Sequence, residues 1–215
     1  MPKSFSPAPD LHFETENGRA QGVLICGVDE VGRGPLAGPV VAAAVIIPAE
    51  GLPHEIASRI KDSKKLSERQ REFLFPHIVA LCPHAIAEAS VAEIDNINIL
   101  QASLLAMKRA IKALPMRPAH ALIDGNKAPK DLPCTAQTIV KGDGKSLSIA
   151  AASIIAKVAR DRFMKEIAAA FPDYGWDRNA GYPTAEHLAA LQKWGPTPWH
   201  RVSFAPVSEQ IRVNK

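Results

Sequence analysis

Four carboxylates stand where a folded chain could use them. Asp29 and Glu30 are adjacent, at the end of the apolar run 23–28 and just before Gly32-Arg33-Gly34. Two carboxylates in one place repel unless a cation or a proton sits between them. Side chains alternate along a strand, but at a strand end entering a glycine turn the alternation relaxes and both acids can face one cleft. Glycines on either side of Arg33 also let backbone approach a ligand. The competing reading is a solvated acidic turn between two strands. Asp124 repeats the pattern, because the apolar run 119–123 ends in it and Gly125 follows. Open α/β sheets carry their sites at strand ends, although Asp-Gly is also a common turn. Asp161 closes the small-residue stretch 148–161, where it either joins the other acids or pairs with a neighbouring arginine on a helix surface. Taken together, the four form an all-oxygen set without a His or Cys cluster, which suits Mg²⁺ or Mn²⁺ and not zinc. Two such ions roughly 4 Å apart activate a water and stabilise the leaving oxygen in phosphodiester cleavage. No Walker-type loop is present, and residues 32–38 lack the dinucleotide-binding spacing.

The elements that must position these acids alternate between strand and helix patterns. Strands are expected at 23–28, 39–48, 85–91, 119–123 and 138–141. Ser67 is the expected N-cap of a helix over 68–81, and apolar residues at helical spacing predict a second helix over 92–114. An alanine-rich helix is expected over 146–171, and Thr184 is expected to cap a helix ending near Trp194. Residues 172–183 read as a loop holding Tyr174, Trp176, Asn179 and Tyr182. Gly142-Asp143-Gly144 reads as a turn. The fold class is therefore a layered α/β domain, with residues 1–22 as a loose leader and 23–215 as the folded unit.

Composition limits what this unit can be. The 215 residues are 47% hydrophobic and 22% charged, with a net charge of +4, as in one large globular domain with a mild basic bias. Three scattered cysteines, Cys26, Cys82 and Cys134, argue against a disulfide framework and suit a reducing cytoplasm. No apolar run reaches the ~18 residues of a membrane span, and residues 1–22 lack a signal-peptide core.

The string Gly27-Val28-Asp29-Glu30-Val31-Gly32-Arg33-Gly34-Pro35-Leu36-Ala37-Gly38-Pro39-Val40 resembles the signature of the ribonuclease HII family. The resemblance continues in Asp62-Ser63-Lys64-Lys65-Leu66, Ile123-Asp124-Gly125, the 148–161 helix, residues 179–184 and His200-Arg201-Val202-Ser203-Phe204. It implies a ribonuclease H-like fold, with a mixed sheet flanked by helices and a C-terminal helical segment. It also implies a monomeric endonuclease that cuts the RNA strand of RNA–DNA hybrids and nicks at single ribonucleotides in duplex DNA, leaving 5′-phosphate and 3′-hydroxyl ends. On this resemblance Asp29, Glu30, Asp124 and Asp161 are the catalytic, metal-binding acids. Arg33 with the backbone of Gly32 and Gly34 meets the ribose 2′-hydroxyl, and Tyr182 packs on the sugar at the RNA–DNA junction.

Other residues keep two readings. Lys64 and Lys65 are expected to hold phosphates, a solvated loop being the alternative. Lys157 and Arg160 either bind phosphate or pair with acids. His200 and Arg201 are expected to fix the tail. Two rival functions share these features: a non-catalytic hybrid-binding module, and another nuclease of the same fold such as a resolvase. Bare carboxylates would repel a phosphate backbone, which counts against the pure binder.

Overall fold

The computed structural model describes residues 8–213. Its centre is a five-stranded sheet in the order β3-β2-β1-β4-β5. The strands are β1 (Ile25–Val31), β2 (Val40–Ile46), β3 (His84–Ala89), β4 (His120–Asp124) and β5 (Thr135–Ile139). β1, β2 and β3 form an antiparallel meander, while β4 and β5 run parallel to β1. The helices are α1 (His12–Glu16), α2 (His54–Ala57), α3 (Glu68–Leu81), α4 (Val91–Ala113), α5 (Leu147–Ala168), α6 (Trp176–Asn179), α7 (Ala185–Trp194) and α8 (Ala205–Val213).

The two faces of the sheet are covered differently. Strand alternation sends Cys26 and Val28 to the α4 side, where they share a core with Ala102, Ala106 and Ile111. Ile25, Gly27 and Asp29 face α5. Close packing against α5 explains its run of small residues: Ala150, Ala151, Ala152 and Ala156 are fully buried. A Cβ on Gly27 would run into the backbone of Ser148 and Ile149, so only glycine lets α5 press this closely on β1. Helix starts follow the side-chain caps: Ser67 and Gln70 form a capping box on α3, and Thr184 accepts from the His187 amide on α7.

Three expectations about the elements need correction. Residues 8–22, read as a loose leader, contain α1 and dock on the start of α5. Glu14 is buried there, and one of its oxygens accepts from the Ser146 hydroxyl (2.7 Å), the Ser148 amide (2.9 Å) and the Ser148 hydroxyl (2.6 Å). Residues 1–7 of that leader lie outside the described residues. Helix α4 is broken at Asn98 (φ 67°), whose side chain caps the amides of Leu100 and Gln101. The last strand, expected over 138–141, starts earlier, at Thr135.

Candidate metal centre and ribonucleotide site

The parallel register of β1 and β4 pairs Val28 with Ile123, so the next step sets Asp29 level with Asp124. β4 stops at Asp124 while β1 continues to Val31. The flank of β1 is therefore open beside Glu30, whose longer side chain reaches round the strand. One carboxylate oxygen from each of Asp29, Glu30 and Asp124 lies within 4.8 Å of the other two. Asp29 is 6% exposed, and Glu30 has a buried Oε2 with no hydrogen-bond partner. Burial, then the charges of Glu30 and Asp124, push Asp29 well above the usual carboxylate range; the Ser153 hydroxyl opposes this and Asp143 adds to it. Burial likewise raises Glu30, against the Arg33 guanidinium 3.3 Å away. Crowded, desolvated, all-oxygen and one acceptor short of a donor, this group fits a hard divalent cation.

Asp161, the fourth acid expected, stands apart from the other three. Asp161 lies eight residues beyond Ser153 on α5, about 12 Å along a helix axis, and is outside the three-carboxylate group. Its oxygens are taken by Lys157 (2.7 Å) and Arg71 (3.7 Å). Arg71 also donates to the carbonyls of Ser63 (3.0 Å) and Leu66 (2.6 Å), so Asp161 braces the turn that carries Lys64. Asp143 is the further acid that lies near Asp124. The turn Gly142–Gly144 docks on Asp124, with the Gly142 amide donating to Asp124 Oδ1 at 2.6 Å. Asp143 is 9% exposed, and burial followed by the charges of Asp62 and Asp124 raises its carboxyl.

Lys64 and Lys65 are both exposed on the turn that precedes α3. Burial lowers the Lys64 ammonium, but Asp29, Asp143, Asp62 and Asp124 outweigh it and hold it above the ordinary lysine value. Lys64 therefore overlooks the acids. The turn is fixed by the Asp62 cap on the Lys64 amide (2.9 Å) and by the Ser63–Ser153 hydroxyl pair (2.7 Å).

The Gly32-Arg33-Gly34 loop hangs on two buried arginines. Arg201 donates to the carbonyls of Gly32 (2.6 Å), Arg33 (3.0 Å) and Gly38 (2.9 Å). Arg160 donates to those of Ala37, Pro39 and Ala180, each at 2.9 Å. Burial lowers Arg160 to about 10 against the opposing pull of Tyr182 and Asp161, and burial with the Arg160 charge lowers Arg201 to about 9 against Asp95 and Tyr182. Arg160 thus does neither of the things expected of it, and Arg201 fixes the loop as well as the tail. Gly32 has φ 92°, and a Cβ there would strike the Arg160 guanidinium. Gly34 lies against Tyr182, since a Cβ there would sit 3.4 Å from its Cε1, an ordinary contact. The half-exposed Tyr182 ring therefore flanks the loop, with Arg33 on one side and the acids beyond.

A family model for Ribonuclease HII matches residues 26–207. The chain belongs to the ribonuclease HII family. Ribonuclease HII of Paramagnetospirillum magneticum is 58% identical over 203 residues, covering 94% of this chain and 98% of that protein. Ribonuclease HII of Magnetococcus marinus is 54% identical, covering 95% and 96%. Among solved structures, ribonuclease H2 of Pyrococcus horikoshii superposes with a TM-score of 0.74 at 26% identity, over 90% of this chain and all of that one. Bst-RNase HIII in complex with Mn²⁺ gives 0.69 at 20% identity, over 90% and 70%, a likeness of fold. As a ribonuclease HII the chain is a metal-dependent endonuclease acting on RNA–DNA hybrids, and the mixed sheet with flanking and C-terminal helices is the ribonuclease H-like fold.

Within this ribonuclease HII, three of the four expected acids meet, Asp161 stands apart, and Asp143, which reads as a turn residue, lies beside them. Its only local mark is a glycine on either side, without the apolar run that ends in Asp124.

Proposed function

We propose that the chain nicks ribonucleotide-containing strands with Asp29, Glu30, Asp124 and Asp143 holding the divalent cations, Mg²⁺ or Mn²⁺, and with the 32–34 loop and Tyr182 reading the ribose. The observation that carries this is the convergence of three carboxylates, Asp29 buried and Glu30 with one buried, unpaired oxygen, at the end of β1 and β4. When bound, such cations supply a lowered pKa for water and charge stabilisation at the phosphodiester. The chain's own groups do the rest. The Gly142 amide and the β1–β4 register hold the acids in place before any ligand arrives. Lys64, beside the acids, offers a positive charge to the phosphate that enters.

Base pairing cannot tell RNA from DNA, so the 2′-hydroxyl must be read directly. Arg201 occupies the carbonyls of Gly32 and Arg33. The loop is left to meet a ligand through the amides of Arg33 and Gly34, donors suited to the lone pairs of a hydroxyl. Tyr182, lying against Gly34, is placed to pack on the neighbouring sugar. A site built this way rejects deoxyribose because its donors are then left unpaired. Duplex DNA with a single embedded ribonucleotide is thus a substrate alongside continuous hybrids.

Residues 8–22 pack on α5 and belong with 23–213 in one catalytic unit. Among the described residues no helix is long and apolar enough to cross a membrane. The three cysteines are free, which supports a reducing cytoplasm. Incubating a duplex carrying one ribonucleotide with the protein and Mg²⁺ or Mn²⁺, then mapping the ends, tests the proposal. A metal-dependent nick with 5′-phosphate and 3′-hydroxyl ends is expected. Cutting of an all-DNA duplex at the same rate would refute the ribose-reading part.

A further inference from the structure

Behind Tyr182 lies a buried polar chain that the proposed chemistry does not use. His187 on α7 and His200 in the tail are 0% and 1% exposed. Their Nε2 atoms are 3.1 Å apart. The Thr197 amide, an obligate donor, points at His200 Nδ1 (2.9 Å), so His200 carries its proton on Nε2. The Trp176 indole N–H, also an obligate donor, points at His187 Nε2 (3.1 Å), so His187 carries its proton on Nδ1. That proton is donated to the Tyr182 carbonyl at 2.9 Å. Each link therefore has one direction: Thr197 amide to His200, His200 to His187, His187 to Tyr182. Burial of both rings keeps them neutral, as the chain requires.

The same chain ties Tyr182 to the loop opposite. His200 is followed by Arg201, which holds the carbonyls of Gly32 and Arg33. Ala37 and His200 form a β-bridge, and Leu36 and Gly181 share a backbone bond of 2.8 Å. The segment leading into Tyr182 is strained, since Ala180 has φ 49°. Something must hold it, and the only side chain among the described residues donating to the Tyr182 carbonyl is His187.

We propose that His187 is a positioning residue for ribonucleotide recognition: its Nδ1–H, set by His200 and Trp176, fixes Tyr182 against Gly34. This rests on the reading of Tyr182 given above, and the test separates the two. An asparagine at 187 places an amide N–H where Nδ1 stands, while a glutamine places it where Nε2 stands. The measurement is kcat/KM on a one-ribonucleotide duplex and on a continuous RNA–DNA hybrid, for His187→Asn, His187→Gln, Tyr182→Ala and the double variant His187→Gln/Tyr182→Ala. Mn²⁺ affinity is measured by calorimetry on each.

Loss of one buried hydrogen bond at the recognition residue predicts that His187→Gln lowers the ratio of the two kcat/KM values about tenfold. His187→Asn should keep the wild-type ratio, and Mn²⁺ affinity should be unchanged in both. Adding His187→Gln to Tyr182→Ala should lower the ratio no further. If Asn and Gln give the same ratio, or the glutamine effect persists without the Tyr182 ring, the proposal is overturned and the Tyr182 reading stands. If Tyr182→Ala alone leaves the ratio unchanged, the Tyr182 reading falls, and this proposal with it.

Discussion

The Gly142 amide donates to Asp124 Oδ1 at 2.6 Å, and this bond brings Asp143 into the acidic centre from a turn 18 residues further along the chain. The relation is doubly constrained. A Cβ on Gly142 would collide with Ile149 and would press on Asp124 at 3.3 Å. On the other side, the turn runs into the start of α5, whose amides and hydroxyls are held by Glu14. The N-terminal segment, the metal centre and the longest buried helix are therefore one mechanical unit.

Asp29 stands among charges that repel it, so the acidic centre should destabilise the metal-free protein. Asp29→Asn should raise the melting temperature in a chelator by about 2–4 °C, the shift that about 1 kcal/mol produces in a chain of this size. It should also abolish most of the further rise that Mn²⁺ gives the wild type. Thermal melts with and without Mn²⁺ check this, and a lower melting point in chelator would show that the carboxylates are not in conflict.

Lys64 and Lys65 should now behave differently. Lys64→Ala should weaken hybrid binding across base sequences and reduce the salt slope by about 1, as the loss of one phosphate contact does. Lys65→Ala should have the smaller effect, because Lys64 is the lysine that the acids act on. Binding titrations at several salt concentrations separate them; equal losses would place both on the phosphate path.

The two loop glycines should fail in different ways. Gly32→Ala meets both a left-handed backbone and the Arg160 guanidinium, so it should lower stability as well as activity. Gly34→Ala brings a methyl only into contact with Tyr182, and Gly34→Val should displace that ring. The expected result is near-normal melting for both Gly34 variants, with Gly34→Val losing cutting at a single ribonucleotide. Full activity of Gly34→Val on that substrate would mean the close approach is not used.

Acid should act on the histidine pair. Burial holds His187 below its ordinary value and takes His200 to about 4. The unfolded chain then binds protons that the folded chain refuses, so this contribution is full above about pH 6.5 and is lost as the pH falls towards 4. Asp29, Glu30 and Asp143 are raised and act in the opposite sense, their repulsion easing in acid. Comparing His200→Gln with wild type isolates the histidine part: the variant's melting temperature should drop less between about pH 7.5 and 4.5. An equal drop would remove His200 from the acid limb.

Much of the site was legible because it obeys local rules. Asp29, Glu30 and Asp124 each end an apolar run beside glycine, and Ser67 and Thr184 cap their helices as their types predict. What escaped depends on partners far away in the chain. Asp143 looked like any turn acid, since nothing local says that its turn docks on Asp124. Asp161 reads as a ligand through the family resemblance, while the fold sets it beside Lys157 and Arg71, apart from the three carboxylates. Glu14 gave no signal, because its partners lie more than 130 residues on. Arg160 reads as a partner of phosphate or acids and Arg201 as a tail anchor, yet backbone carbonyls from three segments satisfy them in the interior.

The most direct test of this account is the single-turnover rate on an RNA–DNA hybrid in Mg²⁺ for Asp143→Asn beside Asp161→Asn. Asp143→Asn should lose at least about a hundredfold, as removal of a metal-holding charge does in a site that depends on electrostatic stabilisation. Asp161→Asn should lose less than about tenfold, through a loosened Arg71 and the turn it braces. A dead Asp161→Asn beside a nearly wild-type Asp143→Asn would contradict the assignment and return the fourth acid to α5.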